Sequence, residues 1–453
     1  MKNRKHVRRI KRLALVCTLC TVILIVSTYA WFVGMKTVNV SSFNVEIAAT
    51  EGLSLSLNGK YFAESVSINS DNYKYDATKV ETEQKENYIY NGSTNTWGGN
   101  GLVPVSTIGK INTTSSRLIM YEKGSITVTD GGYRLMASQV SNHTVTENTE
   151  EGSGFVAFDL FVKNLSGNAY YPEFNKLNEE AIYLTRESAV KVVTAGSDKQ
   201  DKTGIENSVR VAFAQIGRVA AEKPDNLSDT KYATKVETIQ KLTCANAENT
   251  DATKSTGLCG RDATIWEPND TKHVQNAIEW YNKSCKGRTG STVSGTTAAY
   301  SGSCGAVSDG SAVTTYAIGE EIKNDHNNEV DVYDGATLNG YANTTSGTSG
   351  ASFTPLHAMN YFTDTEKMQT GLQRPEFISL APNSITKIRV YIFLEGQDVD
   401  NYDFASLGKT ITVNFGLTKE RFFEGDIPGY DGPTSVTKGD QTITVPTTAG
   451  EQS

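Results

Sequence analysis

The sequence predicts a mainly β, exported protein, and three observations carry that expectation. Lys2, Arg4, Lys5, Arg8, Arg9, Lys11 and Arg12 open the chain without an acid among them, and an uncharged, mostly apolar run from Leu13 to Met35 follows at once. Beyond it, short stretches alternate apolar and polar residues while helical periodicity is scarce. Gly, Ser, Thr and Asn abound between these stretches, a composition that favours strands joined by long polar loops.

A basic segment feeding an apolar one is the pattern of an export signal. Basic residues stay on the cytoplasmic side, so everything after about Gly34 is expected outside the membrane. As a helix, Leu13 to Phe32 would reach about 30 Å, enough for a bilayer core. Its most apolar part, Leu13 to Val26, has only the length of a signal-peptide core. Thr28-Tyr29-Ala30 offers a small residue at each end, so cleavage is expected between Ala30 and Trp31. Left uncut, the segment anchors the chain, with Tyr29 and Trp31 at the outer interface. Cys17 and Cys20 lie inside the run and read as apolar fillers or acylation candidates.

The alternation begins directly after the leader (1–35). Val38, Val40, Phe43, Val45 and Ile47 alternate with polar residues, with a phase change at Ser41-Ser42, and Leu53, Leu55 and Leu57 alternate again after Glu51-Gly52. This predicts two strands with a turn between them. Residues 60–114 are polar, Tyr-rich and without clear period; 117–121 and 125–128 are short strand candidates, and 137–153 reads as a loop. Gly154 to Asn164 is the best central strand. Phe155, Ala157, Asp159 and Phe161 lie on one face and Val156, Phe158, Leu160 and Val162 on the other, so both faces are expected to be buried. Ser208 to Gly217, Ile385 to Leu394 and Thr410 to Leu417 read the same way.

Between 222 and 351 the character changes to Gly, Ser, Thr, Asn and Ala, which predicts an insertion dividing a β unit into 36–221 and 352–423. One helix is expected there, Thr271 to Asn282, capped by Asp270 after Pro268, with Val274, Ala277, Ile278 and Tyr281 on its apolar face. Residues 424–453 read as a polar tail. A short echo links KYDATKVETEQK at 74–85 with KYATKVETIQK at 231–241, too brief to define a repeat.

The four cysteines outside the leader, Cys244, Cys259, Cys285 and Cys304, all fall in the insertion. An even number in an exported chain predicts two disulfides. Of the three pairings, Cys244–Cys259 and Cys285–Cys304 are preferred because each closes a short polar loop, restricting the unfolded chain by about 3 kcal/mol each. A zinc site is the weaker reading, since no CxxC or nearby His pair accompanies them.

Charge narrows the partners. The chain has 43 Lys+Arg against 51 Asp+Glu; without the seven basic residues of the leader, 36 face 51, a net charge of −15 on the exported part. Such a surface argues against nucleic acid. No HExxH, GxSxG, Walker or strand-linked GxGxxG sequence is present, so no familiar catalytic constellation emerges. An acid pair of a glycosidase would leave no such signature. The densest acidic stretch is 395–403, where Asp398, Asp400 and Asp403 are candidate oxygen ligands for Ca²⁺, although the spacing is not that of an EF-hand. A solvated hairpin loop is the plainer reading of that stretch. Trp266 in the sequence IWEPND could stack on a sugar, but packing beneath the following helix is the stronger expectation.

At Ser27 to Lys36, STYAWFVGMK resembles the secreted biofilm-fibre protein TasA and the camelysins of Gram-positive bacteria through Thr28, Tyr29, Ala30 and Phe32. The resemblance covers about 35 residues. It implies cleavage at Ala30-Trp31, a jelly-roll-like β-sandwich, and self-assembly in which Lys36 to Ile47 completes the sheet of another subunit. The chain departs from the pattern in its length, its cysteine-bearing insertion and Val33-Gly34, where the family has an Asp soon after the Phe. The expected function is a non-enzymatic extracellular or cell-surface structural protein, a matrix or fibre subunit or adhesin, needing no cofactor. The alternative is a membrane-tethered ectodomain that binds or hydrolyses carbohydrate.

Overall fold

The computed structural model describes residues 45–49, 52–68, 88–89, 105–123, 136–139, 155–171, 179–192, 204–222, 236–244, 259, 262–286, 307–311, 316–318, 356–358, 362–363, 378–396, 398–400, 411–421, 435–438 and 441–444. The leader, the Ala30-Trp31 junction, Asp403 and Cys304 lie outside them, as does residue 125–128 of the predicted strands. Among the described residues no helix is long and apolar enough to cross a membrane.

The protein is mainly β. Its first strands are β1 (Val45–Ala49), β2 (Leu53–Ser56), β3 (Ser65–Ile68), β4 (Val105–Asn112), β5 (Arg117–Lys123) and β6 (Met136–Gln139). Next come β7 (Val156–Asn164), β8 (Glu180–Leu184), β9 (Ala189–Val192), β10 (Val209–Ala220) and β11 (Thr264–Glu267). Short strands β12 (Tyr316–Ile318), β13 (Leu356–Ala358), β14 (Phe362–Thr363) and β15 (Ile378–Leu380) precede the long β16 (Ser384–Leu394) and β17 (Ile411–Arg421). A last hairpin, β18 (Ser435–Lys438) with β19 (Gln441–Thr444), falls in the predicted tail. Among the described residues the helices are α1 (Val236–Gln240), α2 (Gln275–Lys286) and a 3-10 turn at Ile205–Ser208.

Two six-stranded sheets dominate. One runs β15-β8-β17-β1-β3 with β9 also on β17; the other runs β14-β11-β10-β16-β7-β2. Their facing side chains form one apolar core. Val156, Phe158, Leu160 and Val162 of β7 and Ile388, Val390 and Ile392 of β16 enter it from the second sheet, and Ile47, Ile182, Val413, Phe415 and Leu417 from the first. Alternation explains why: in a strand every second side chain points the same way. The opposite face of the second sheet is covered too. There Phe155, Ala157, Tyr391 and Phe393 meet Val105, Leu118 and Met120 of β4 and β5, with Cys244 and Cys259 beside them. The second sheet is thus a central layer, and β7, β10 and β16 are buried on both faces for that reason.

Of the first predicted N-terminal strand only the end, from Val45, is described, as part of β1, and 36–44 lie outside the described residues; the second contains β2, and the two belong to different sheets: β1 pairs with β17 and β3, β2 with β7. Gly52, just before β2, holds φ 75°, a conformation that favours glycine. Within the region 222–351, β11 pairs with β10 and extends the central sheet. Cys244 and Cys259 are disulfide-bonded. Cys285 lies in α2, but its side chain and Cys304 fall outside the described residues, so that pairing has no structural counterpart here. The predicted helix begins four residues later than expected, at Gln275. Residues 268–271 are turns, and the Val274 N–H is taken by Asp400 rather than by a local cap at Asp270. Its apolar face is the predicted one: Ala277 and Ile278 are buried in the main core, and Val274 and Tyr281 pack on it.

Candidate functional site

Two stretches singled out in the sequence, the one around Trp266 (265–270) and the acidic one from 395, come together at one end of the central sheet through Glu267, Asp398 and Asp400. Strand β10 supplies the cation between them. The side chain of Arg210 is fully buried and forms ion pairs with Glu267, the last residue of β11, and with Asp398 at 2.5 Å. Its Nη1 donates to the carbonyls of Asn207 (3.0 Å) and Val209 (3.1 Å). Asp398 also accepts from Ser208 Oγ (3.3 Å) and from the Asp400 N–H (2.8 Å). Nearby, Glu395 accepts from Ser106 Oγ at 3.1 Å, tying the covering layer to the same corner.

Asp400 continues the network into the helical segment. Its Oδ2 lies 2.7 Å from His273 Nδ1, and its Oδ1 accepts the Val274 N–H at 3.1 Å. His273 Nε2 is 2.9 Å from the carbonyl oxygen of Ser311. A carbonyl only accepts, so Nε2 must carry a proton, and Nδ1 shares a second one with the carboxylate. Burial works against charging the ring, yet the hydrogen bond and charge of Asp400 outweigh it and raise the His273 pKa. Gly204 makes this approach sterically feasible: it holds φ 75°, and a Cβ there would sit 2.6 Å from Asp400 Oδ1 and 2.7 Å from Val274 Cγ2.

The corner is acid-rich for its two cations. Glu267 is pushed up to about 7, foremost by burial and further by Asp398, Asp270 and Glu395, against the pull of Arg210. A carboxyl of that acidity can exchange a proton near neutrality. It is also enclosed, at 6% exposure, and bound to a guanidinium. The arrangement therefore joins β10, β11, the 398–400 turn and the start of α2 electrostatically.

Two of the three calcium candidates have protein partners, and the third, Asp403, lies outside the described residues. Asp398 is directed to Arg210 and Asp400 to His273, and among the described residues no group of three or more His, Cys, Asp or Glu could hold a metal ion. Trp266 is fully buried in the core, so it packs rather than presenting a face to a sugar.

A second buried ionic group lies between the central sheet and its covering layer. Asp159 of β7 accepts from Arg389 Nε (2.7 Å) and Nη2 (3.0 Å) and pairs with Lys387 Nζ at 3.1 Å. Lys387 also donates to the carbonyls of Gln240 (2.8 Å) and Leu242 (3.0 Å), fastening α1 to the sheet. In the sequence Asp159 stands on an otherwise apolar strand face. The signal was present: a carboxylate on a buried strand face requires a partner, and Lys387 and Arg389 alternate on one face of another buried strand. Arg218 with Glu179 (2.7 Å) repeats the theme at the far end of β10. No protein-family model, curated protein or solved structure matches the chain.

Proposed function

We propose that this chain is a non-enzymatic extracellular or cell-surface structural protein, a matrix or fibre subunit or adhesin of a Gram-positive-type bacterium. The observation that carries the reading is the basic-to-apolar leader running through Thr28-Tyr29-Ala30 directly into alternating strands. The chain reaches the membrane through Leu13 to Met35 and leaves it by cleavage before Trp31. The two facing sheets with their shared core form a jelly-roll-like sandwich in this reading. Its support from the interior is that the buried ions join strands to one another. Self-assembly by strand donation would fall to residues 36–44, because Val45–Ala49 already pair on both sides within their own sheet. Ca²⁺ binding through Asp398, Asp400 and Asp403 has the weakest support, since two of those carboxylates have protein partners.

Sequencing the N-terminus of the protein from its native cells tests export: Trp31 is expected, and an intact Met1 on cytosolic material overturns the reading. Electron microscopy of the protein starting at Trp31 tests assembly, and persistent monomers at high concentration remove the fibre form. The alternative, a carbohydrate-active ectodomain, draws on Glu267, whose acidity near neutrality suits a general acid. A glycosidase screen comparing the parent with Glu267→Gln decides it: activity lost in the variant would favour the enzyme.

A further inference from the structure

Lys419 of β17, Asn164 at the end of β7 and Glu180 at the start of β8 converge at one point between the two main sheets. Lys419 Nζ is 3.1 Å from Asn164 Oδ1 and 3.1 Å from Glu180 Oε2. Asn164 Nδ2 donates to the same Glu180 oxygen at 2.9 Å and to the Ala381 carbonyl at 3.2 Å. Asn164 Oδ1 also accepts the Ser166 N–H at 3.1 Å, and Ser166 Oγ donates to Glu180 at 2.8 Å. Both amide donors and the amide oxygen are matched in this orientation; flipping the amide would turn its NH₂ toward two donors. Asn164 is fully buried, and the side chains of Lys419 and Glu180 are only 10% and 18% exposed.

An ordinary ion pair needs only the lysine and the glutamate. The additional feature here is a buried carboxamide whose oxygen faces the amine and whose nitrogen faces the acid. We propose that Lys419 and Asn164 form an intramolecular isopeptide bond, with Glu180 carrying the protons, which covalently links the two sheets.

The chemistry balances without a further reactant. Glu180 Oε2 takes a proton from the Lys419 ammonium, leaving a neutral amine. The amine lone pair forms a bond to Asn164 Cγ, and the charge that develops on Oδ1 is stabilised by the Ser166 N–H. Glu180 passes its proton to Nδ2 and receives the one remaining surplus proton from Nζ; the Cγ–Nδ2 bond breaks and ammonia leaves. The product is a secondary amide, and one ammonia is lost per bond. Glu180 touches both reacting nitrogens, so it serves as the catalytic residue. Burial alone would raise its pKa, but Lys419 and the hydrogen bonds from Asn164 and Ser166 lower it, so the ion pair is the resting form and its proton-transferred tautomer the reactive one. Fixed positions supply the compensating advantage, since the amine is held against the carboxamide and the acid by hydrogen bonds and away from bulk water.

The Asp159 group shows what the triad has that another buried lysine lacks. Lys387 Nζ also lies 3.1 Å from a side-chain oxygen, but that oxygen belongs to a carboxylate held ionised by Arg389 as well. An anionic carboxylate is a poor electrophile.

Peptide mapping of the full chain by mass spectrometry tests the proposal, because leader processing does not affect the region read. In the parent protein, the peptides containing Lys419 and Asn164 are expected as one branched species lacking one ammonia, with no protease cleavage after Lys419. In Glu180→Gln, which keeps both reacting groups, the two peptides are expected linear and at full mass; in Lys419→Arg, the branch is absent. The parent measurement requires no variant to fold. Recovery of the parent's two peptides as linear species overturns the proposal. So does ammonia loss confined to a linear Asn164 peptide, which denotes cyclisation onto the backbone. A branch that persists undiminished in Glu180→Gln overturns the role of the acid.

Discussion

Asp159→Ala tests the view that the buried ions are structural ties. Asp159 is fully buried, with Arg389 and Lys387 within hydrogen-bond distance of its two oxygens. At an effective dielectric constant of about 20, each contact of roughly 4 Å between charges is worth about 4 kcal/mol of attraction. Desolvation of three ions offsets much of that, so the intact group contributes little net stability. Truncation is a different matter. It leaves Lys387 and Arg389 buried with carbonyl acceptors but without their countercharge, at a cost of about 3–5 kcal/mol. With a urea slope near 3 kcal/mol/M, the unfolding midpoint should fall by at least about 1 M.

Acid should narrow the difference. Burial alone would raise the Asp159 pKa, but Arg389 and Lys387 together bring it below its usual value. The contribution of a carboxyl lowered on folding is fully present above its unfolded pKa of about 3.9 and is lost as pH falls through the lower folded value. Parent and variant midpoints should therefore converge at the acid end. The triple change Asp159→Leu, Lys387→Met and Arg389→Met should recover most of the loss, because it leaves no uncompensated charge. A single variant that loses less than about 1 kcal/mol would refute the reasoning, as would a triple variant no more stable than the single one.

Three further outcomes follow from the same geometry. Glu267 binds its proton more tightly when folded, so stability should fall as pH rises from about 4.5 through about 7; raised His273 adds to the trend, its contribution being complete below about 6.5 and lost through its higher folded value. Glu267→Gln should flatten the melting-temperature profile across that range, and parallel profiles would contradict the assignment. Cys244→Ser with Cys259→Ser should cost about 3 kcal/mol, because the bridge closes a 15-residue separation; an unchanged denaturation midpoint would count against it. Gly416→Ala should destabilise by about 1–3 kcal/mol, since the new Cβ runs into Thr185 Oγ1, and Thr185→Ala should partly restore the midpoint.

The central strands were readable because burial on both faces writes a continuous apolar run. Gly154 to Asn164, Ser208 to Gly217 and Ile385 to Leu394 correspond to β7, most of β10 and β16. Strands β8 and β9 escaped notice, although Glu180-Ala181-Ile182-Tyr183-Leu184 and Ala189 to Val192 are short apolar or alternating runs next to polar turns. Brief runs carry little periodicity, and pairing with β17 is what stabilises them. At the acidic corner, Asp398 and Asp400 stood in a stretch already conspicuous for its acids and Glu267 beside the conspicuous Trp266, whereas Arg210 and His273 looked unremarkable where they occur. The helix start moved for the same reason: its first N–H partner, Asp400, comes from 126 residues away.

Taken alone, the order of residues determined the β character, the alternating inward faces, the export leader as an expectation and the nearer cysteine partner. Each depends on neighbours within one element or one short loop. The three-dimensional fold decided which sheet each strand joined and which charges met: His273 with Asp400 across 127 residues, Asn164 with Lys419 across 255. Pairing over such distances leaves no local periodicity, because it is selected by the simultaneous burial of an apolar core and the requirement that every buried ion find its partner there.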